Sequence, residues 1–346
     1  MHFMIKIINI SENKLWDDIV KQFSEYDVYY LSGYVKAFQI HGDGEPQLLF
    51  YETEKLKAIY VYMKRNTSID GIYDSITPYG YGGVLFEGDT SQENLNAFWH
   101  DYTEKMKDEN IIDNFVRYHP VIANSLPMKE VSDVIDLGKT IAMDLSSPEI
   151  IWENTHSNNR NKIRKAEKNG IEIHHGKSIE LFDKFIDIYN ATMDKDNAEK
   201  YYYFPMAFYE SIHNDLYDNY ELFYATYEDK IVAMSIMLFA NGKMNYHLSG
   251  SDIAYRNFAP TNLLLYKAAL WGCEQGFTIL HLGGGVGSKE DNLYIFKAGF
   301  NKKSDYTFSI GKQIFNKEKY DELVNLRITE DSDFDINSSF FPLYRR

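Results

Sequence analysis

The chain has 346 residues, and at 44% hydrophobic and 25% charged it has the balance of a globular protein with room for two cores. With 36 basic against 51 acidic residues its net charge is −15, which excludes a general nucleic-acid binder and leaves only a local basic patch to hold an anion. One cysteine, Cys273, excludes an intramolecular disulfide and a cysteine-based zinc site.

The N-terminus, "MHFMIKIINISENKLW", lacks a long apolar run and a small-residue cleavage site, so it does not read as a signal peptide. No stretch reaches eighteen apolar residues, and the expected location is the cytoplasm. Next, "LLFYETEKLKAIYVYM" reads as strand, tight turn, strand, followed by an extended segment and the glycine-bearing "PYGYGG", 78 to 83. A helix is expected at about 91 to 109, then an apolar strand in "NIIDNFVRYH". In "DLSSPEIIW", Ser147 is placed to cap a helix beginning at Pro148.

The second half repeats this order. "LFYATYEDKIVAMSIML" is again a hairpin, with Asp229-Lys230-Ile231-Val232-Ala233 matching Glu54-Lys55-Leu56-Lys57-Ala58. "NYHLSGSD", 245 to 252, is the next strand, a helix follows at about 260 to 275, and then the apolar strand of "FTILHLGGG". A last helix is expected in "NKEKYDELVNLR", and the tail from 329 is acidic, then aromatic, without periodicity. Two copies of one α/β unit account for this order. The expected domains are residues 1–145 with 311–346, whose C-terminal helix returns to the first unit, and 146–310.

The glycine loop "HLGGGVGSKEDNLYIFKAGF" meets neither nucleotide motif. Ser288 separates Gly287 from Lys289, so no Walker lysine follows the last glycine. Gly285-Val286-Gly287 is followed by Ser288, Lys289 and Glu290, so no dinucleotide fingerprint forms. What remains is a strand ending in glycines and a helix that carries Phe296-Lys297 and closes with Gly299-Phe300.

Upstream, Arg160, Arg164 and Lys168 recur every four residues and line one helix face, with Trp152, Thr155, Asn159, Ile163 and Ala166 expected on the other. That face is either a landing place for phosphates or an ordinary solvated surface. His247, Ser249 and Asp252 could relay a proton, or His247 could be structural. The adjacent His174 and His175 would face opposite ways on a strand, and no metal set is visible.

The hairpin–strand–helix–strand–helix unit resembles the GNAT acyltransferase fold. The glycine strand end with "FKAGF", the helix "RNKIRKAEKNG" and the early Trp16 with "GYVKAF" together resemble the Fem-type aminoacyltransferases (FemA, FemB, FemX) over roughly 15 to 315. The fold class expected is therefore α/β (α+β), two tandem GNAT-like domains packed side by side.

The resemblance implies an enzyme that moves an aminoacyl group from aminoacyl-tRNA to an amine of a peptidoglycan precursor peptide, nucleotide- or lipid-linked, with no cofactor. It implies Lys297 as a fixed cation for the developing oxyanion, with Phe296 packing in support, and Asp252 and His247 as candidates for proton transfer. Lys36 would meet a diphosphate. "PYGYGG" departs from the family's Pro-Arg-Gly-Pro type; read from its own residues, it either brings Tyr79, Tyr81 and Gly82 to the acceptor or is a tight turn between strands. Arg256, Gly284 and Gly285 complete the candidate binding set, and Arg160, Arg164 and Lys168 would take tRNA phosphates.

Alternatively, Lys297 is a helix-surface lysine favoured by the dipole, and as a helix-face residue it is expected to contribute little to stability. Two other functions stay open: acyl-CoA-dependent N-acylation of an amino sugar or small amine, and a silent glycan- or peptide-binding module. Against acyl-CoA, Ala259 and Thr261 replace both glycines of the pyrophosphate turn that Arg256 would begin, and Pro260 reads equally as the first residue of a helix. Ile295 also stands where such an enzyme often has its general-acid tyrosine, with Tyr294 about 100° away.

Overall fold

The computed structural model describes residues 4–346 and divides into two compact units, one running to Leu137 and resuming at Phe308–Arg346, the other Gly138–Thr307. In chain order the first unit has β1 (Met4–Asn9), α1 (Asn13–Val20), α2 (Ser32–His41), β2 (Glu45–Glu52), β3 (Leu56–Asn66), β4 (Tyr73–Ile76), β5 (Leu85–Gly88), α3 (Gln92–Asp108), β6 (Ile111–Arg117) and α4 (Ser125–Met128). Strand β7 (Val134–Asp144) carries the chain onward into α5 (Pro148–Asn154), α6 (Ser157–Lys168), β8 (Glu172–Gly176), α7 (Glu180–Lys195) and α8 (Met206–Asp215). There follow β9 (Tyr220–Tyr227), β10 (Lys230–Ala240), β11 (Lys243–Ser251), α9 (Pro260–Glu274), β12 (Ile279–Gly283) and α10 (Asn292–Ala298). The chain returns through β13 (Tyr306–Ile314) and ends on α11 (Lys317–Glu330) and its tail.

Both hairpins form where the alternation placed them. The β9–β10 turn is two residues long, Glu228 and Asp229, both at positive φ (49° and 60°), the backbone of a turn whose twist matches the flanking strands. The first unit's sheet pairs β1, β2, β3 and β4 in antiparallel succession, then β4 with β6 in parallel. The second unit pairs β8, β9, β10 and β11 antiparallel, then β11 with β12 in parallel. In each, the helix between the parallel strands, α3 or α9, makes the crossover that parallel pairing requires. Each sheet is then closed by a strand from the far end of its unit: β13 lies antiparallel to β6, and β7 antiparallel to β12. Pairing of β12 with β7 through Asp144 is why the division falls at Leu137–Gly138 and not after residue 145.

The second unit's core gathers Leu263, Leu264, Leu265, Ala268 and Ala269 of α9 over Ile141, Met143, Phe223, Met237 and Leu280 of the sheet. The first unit's core is richer in rings, with Tyr51, Tyr60, Tyr62, Phe98, Tyr102 and Tyr118 all buried. Three of their hydroxyls have polar partners: Tyr60 donates to Asn114 at 2.8 Å, Tyr62 to Gln47 at 2.7 Å and Tyr102 to Gln313 at 3.2 Å. Aromatic residues are 16% of the chain, and many of them are used as core.

The aperiodic tail is held by a buried charge cluster in the first unit. Asp74 of β4 and Asp113 of β6 are both fully buried. Arg65 of β3 donates to Asp74 at 2.7 and 3.1 Å, and Arg345 also donates to it. The Tyr344 hydroxyl lies 3.0 Å from Asp74 Oδ2 and 2.7 Å from Asp113 Oδ2. One hydroxyl proton cannot serve two carboxylates, so a second proton is needed, and it belongs on Asp113, whose Oδ1 has no partner. Burial and the neighbouring Asp74 push the Asp113 carboxyl up to about 8, opposed by Tyr344, Arg65 and Arg345. The chain of bonds is then Asp113 to Tyr344 to Asp74.

Because the folded chain holds this proton more tightly than the unfolded one, Asp113 favours folding at acid pH and loses that contribution as pH rises to about 8. Asn at this position imitates the protonated acid. Denaturant titrations are therefore expected to show wild type losing roughly 1 kcal/mol per pH unit relative to Asp113→Asn between about pH 5 and 8. Parallel curves for the two proteins would rule out the shared proton.

Candidate active site

In the second unit the parallel ladder is short. Lys243–Asn245 of β11 pair with Ile279–His281 of β12, and β11 then runs on to Ser251 on its own course. Both strands carry an irregularity just past that point. On β11 the register against β10 shifts so that His247 is the extra residue, and on β12 the register against β7 shifts between His281 and Gly283. The opening between the strands is thus built into the sheet, and the glycine loop starts at its edge.

The loop is held from below by one side chain. Asp291 caps α10: its Oδ1 accepts from the Tyr294 N–H at 2.9 Å and its Oδ2 from the Val286 N–H at 3.1 Å. Gly285 lies against that carboxylate. A Cβ there would come within 2.0 Å of the Lys289 carbonyl and 2.3 Å of Asp291 Oδ1, so no larger residue fits.

From the last turn of α10, Lys297 reaches back and donates to the Gly284 carbonyl at 2.8 Å. It is only 8% exposed. The expectation of a helix-face lysine with few buried contacts is corrected here: α10 lays this side chain under the loop, and water is largely removed from its ammonium. Burial pulls its pKa down to about 8, with Asp291 acting in the opposite direction. It remains a cation at neutral pH, without the hydration that would weaken its field. Phe296 packs edge-on to Phe300, at 5.5 Å between ring centres, on the side of the core.

Asp252 and His247 are placed differently from a proton relay. Asp252 Oδ1 accepts from the Ala254 N–H at 2.9 Å and Oδ2 from Lys230 at 2.8 Å, so the carboxylate caps a short helical turn and carries an ion pair. His247 is half-buried, and desolvation of its ring pushes its pKa down to about 3. Such an imidazole is neutral and a weak base at ordinary pH. Arg256 is exposed in the turn before α9, and Pro260 is the first residue of that helix. Ala259 adopts the left-handed backbone (φ 57°, ψ 45°) that a glycine would take without strain.

The basic face is reorganised by a break. Residues 148–168 form two helices, α5 and α6, with Asn154, Thr155 and Asn159 buried at the joint. Trp152 packs against the core, 5.3 Å from Tyr266, and also meets the cations: the guanidinium of Arg164 stands 5.0 Å over its ring and that of Arg160 5.8 Å. Lys168 is exposed further along, with Lys162 and Lys165. Two arginines preset on a tryptophan are more ordered than a loose solvated face.

Lys36, Tyr79, Tyr81 and Gly82 belong to the first unit. Lys36 is half-buried on α2. Tyr34 donates to the Tyr79 carbonyl at 2.5 Å, and Tyr79 stacks on Phe38 at 5.7 Å. Tyr81 packs edge-on to Tyr29 at 5.7 Å and beside His119 at 5.7 Å. Burial pushes its hydroxyl up to about 12, with Arg117 opposing. Gly82 bridges to Tyr118 of the strand end. Sequence reasoning missed Asp291, His119 and Asp27, the last two joined at 2.9 Å with both side chains buried. The N-cap position of Asp291 before "NLYIFKA" was the available signal for the first. Among the described residues no group of histidines, cysteines and carboxylates is arranged to hold a metal ion.

Lys297 binds its proton less tightly folded than unfolded, so between about pH 8 and 10.5 the unfolded chain carries the extra proton and stability rises with pH. Relative to Lys297→Met, wild type is expected to gain roughly 2–3 kcal/mol across that window in chemical denaturation. A flat difference would mean the amine is solvated after all.

Residues 153–297 match the family described as an acetyltransferase (GNAT) domain. The chain is 26% identical over 172 residues to UDP-N-acetylmuramoylpentapeptide-lysine N(6)-alanyltransferase of Weissella viridescens, a match spanning 49% of this chain and half the length of that curated relative. Among solved structures, FemX superposes with a TM-score of 0.69 at 16% identity, covering 93% of this chain and 99% of that one. The C-terminal domain of a putative lysylphosphatidylglycerol synthetase from Agrobacterium fabrum superposes at 0.59 and 14% identity, covering 88% and 92%. The chain thus has the FemX fold, residues 153–297 of its second unit match the GNAT acetyltransferase domain, and part of it is similar in sequence to the Weissella alanyltransferase.

Proposed function

We propose that this protein is an acyltransferase that moves an aminoacyl group from aminoacyl-tRNA to an amine of a peptidoglycan precursor peptide, working in the cytoplasm. The observation that carries the reading is the similarity to the Weissella alanyltransferase. The chemistry at Lys297 supports it. The neutral amine of the acceptor attacks the ester carbonyl, and the carbonyl oxygen gains negative charge as the tetrahedral intermediate forms. A desolvated ammonium nearby stabilises that charge; as the ester C–O bond breaks, the proton lost by the amine ends on the departing ribose oxygen, which leaves as a hydroxyl. Arg160 and Arg164, set on Trp152 in a chain of net charge −15, are suited to the phosphates of the donor.

The acyl-CoA reading is favoured by one observation, the GNAT match itself. Against it, Ala259 puts a methyl group in the turn where a pyrophosphate would approach backbone N–H groups. Incubation with charged tRNA and with acetyl-CoA separately, over a panel of amine acceptors and scored by product mass, separates the two.

With charged tRNA as donor, Lys297→Met is expected to lower kcat by roughly 10²–10³ with KM nearly unchanged, and Lys297→Arg to restore little. Full turnover in Lys297→Met would remove Lys297 from the mechanism. Arg160→Ala with Arg164→Ala is expected instead to raise KM for tRNA and to flatten its dependence on salt. Unaltered KM and salt slope would return this helix to the role of a solvated surface.

A further inference from the structure

Lys297 has a problem that its helix does not solve. Among the described residues its ammonium, beneath the glycine loop, has one hydrogen-bond acceptor, the Gly284 carbonyl, and a buried cation with a single neutral acceptor tends to lose its proton. The charged group that acts on it is Asp291, six residues before it and at the opposite end of α10. Glu290, Lys139 and Asp305 act on Tyr294, and Lys139 is itself paired with Asp305 at 2.6 Å. Asp291 is held ionised by accepting backbone N–H bonds, that of Tyr294 foremost, with Lys297 adding to the effect.

The same carboxylate fixes position. Its two oxygens join the start of α10 to Val286, so the loop segment carrying the Gly284 carbonyl is tied to the helix carrying Lys297. Gly285 lets the carboxylate close to within a distance that any side chain would forbid. Helix, loop and lysine form a closed circuit: Asp291 to Val286, two residues back to Gly284, across to Lys297, and along α10 to Asp291.

We propose that Asp291 is the positioning residue of Lys297, fastening the glycine loop to α10 and supplying the negative charge that keeps the buried ammonium protonated at working pH. It touches no reacting atom on this reading. The proposal rests on Lys297 serving as a cation in the acyl transfer proposed above, and it deepens that role by naming what maintains it.

The test separates the two. Wild type, Asp291→Asn, Asp291→Ser and Asp291→Glu are labelled with ¹³C at the lysine ε-carbon, and the Lys297 resonance, assigned with Lys297→Met, is titrated without substrate. Asn and Ser both retain a cap acceptor and lose the charge, so either can be read if the other folds poorly. The expected result is a titration moved to lower pH by about one unit in Asn and Ser, and largely restored in Glu. In turnover with charged tRNA, the alkaline limb of the kcat profile should move by the same amount, with kcat falling about fivefold near pH 8 and KM much less affected. An unmoved Lys297 titration in both neutral variants overturns the proposal whatever the activity does. If wild type transfers no aminoacyl group, the functional reading fails, and the resonance shift still decides the role of Asp291.

Discussion

A cation kept out of water sets the terms for the second unit's site. The Lys297 ammonium needs an acceptor, a counter-charge and a backbone close enough to exclude solvent, and each requirement selects a neighbour. Gly284 offers the carbonyl, Asp291 the charge, and Gly285 the closeness. The run of glycines after β12 is therefore explained without a nucleotide. A phosphate-cradling loop directs N–H groups at an anion, whereas this loop directs a carbonyl at a cation and spends its Val286 N–H on a carboxylate of its own chain.

The opening beside that loop comes from the sheet. A parallel pair that ends after Asn245 and His281, with a bulge on each strand just beyond, leaves backbone and side chains facing a gap. The first unit repeats the parallel pair in β4 and β6 but closes the corresponding region differently. Its glycine segment is packed by Tyr29, Tyr34, Tyr79 and Tyr81, and a Cβ on Gly80 would strike the Tyr29 ring at 2.6 Å. Two copies of one unit have thus kept the strand order and diverged in what fills it: a lysine under a loop in one, and packed rings around an Asp27–His119 pair in the other.

Local pattern made much of this legible. The hairpins, the two crossover helices and the Pro260 helix start follow from alternation, spacing and turn chemistry, all of which act within a few residues. The basic helix was legible in its period but not in its interruption. Residues 155–156 leave the helix because residues 154–156 are bound to the 299–302 segment: the His156 N–H donates to the Gly299 carbonyl at 2.9 Å, the Thr155 hydroxyl to the Phe300 carbonyl at 3.3 Å, and the Lys302 N–H to the Asn154 carbonyl at 3.0 Å. Partners that lie far along the chain leave no mark in a local window. The same holds for β7 and β13, whose pairings with β12 and β6 no periodicity announces, and for Asp74 and Asp113, strand carboxylates whose partner Tyr344 comes from the tail.

Burial of charge was the least legible quantity, and it is the one the chemistry uses. "NLYIFKA" gives Lys297 a helical position but not a depth, because α10 is too short for its own pattern to define a face. Depth is set by the loop folding over it, and the loop folds there because Asp291 can accept from both ends of the turn. The residue that makes the lysine useful is thus identified by its bonds and not by any property of its own. A carboxylate at a helix N-terminus is commonplace as a cap, worth about 1 kcal/mol. Here the position that satisfies the helix also places a negative charge where it raises the affinity of a desolvated amine for its proton. One side chain answers two electrostatic demands, those of the helix end and of the buried cation, and replacing it with a neutral cap separates them.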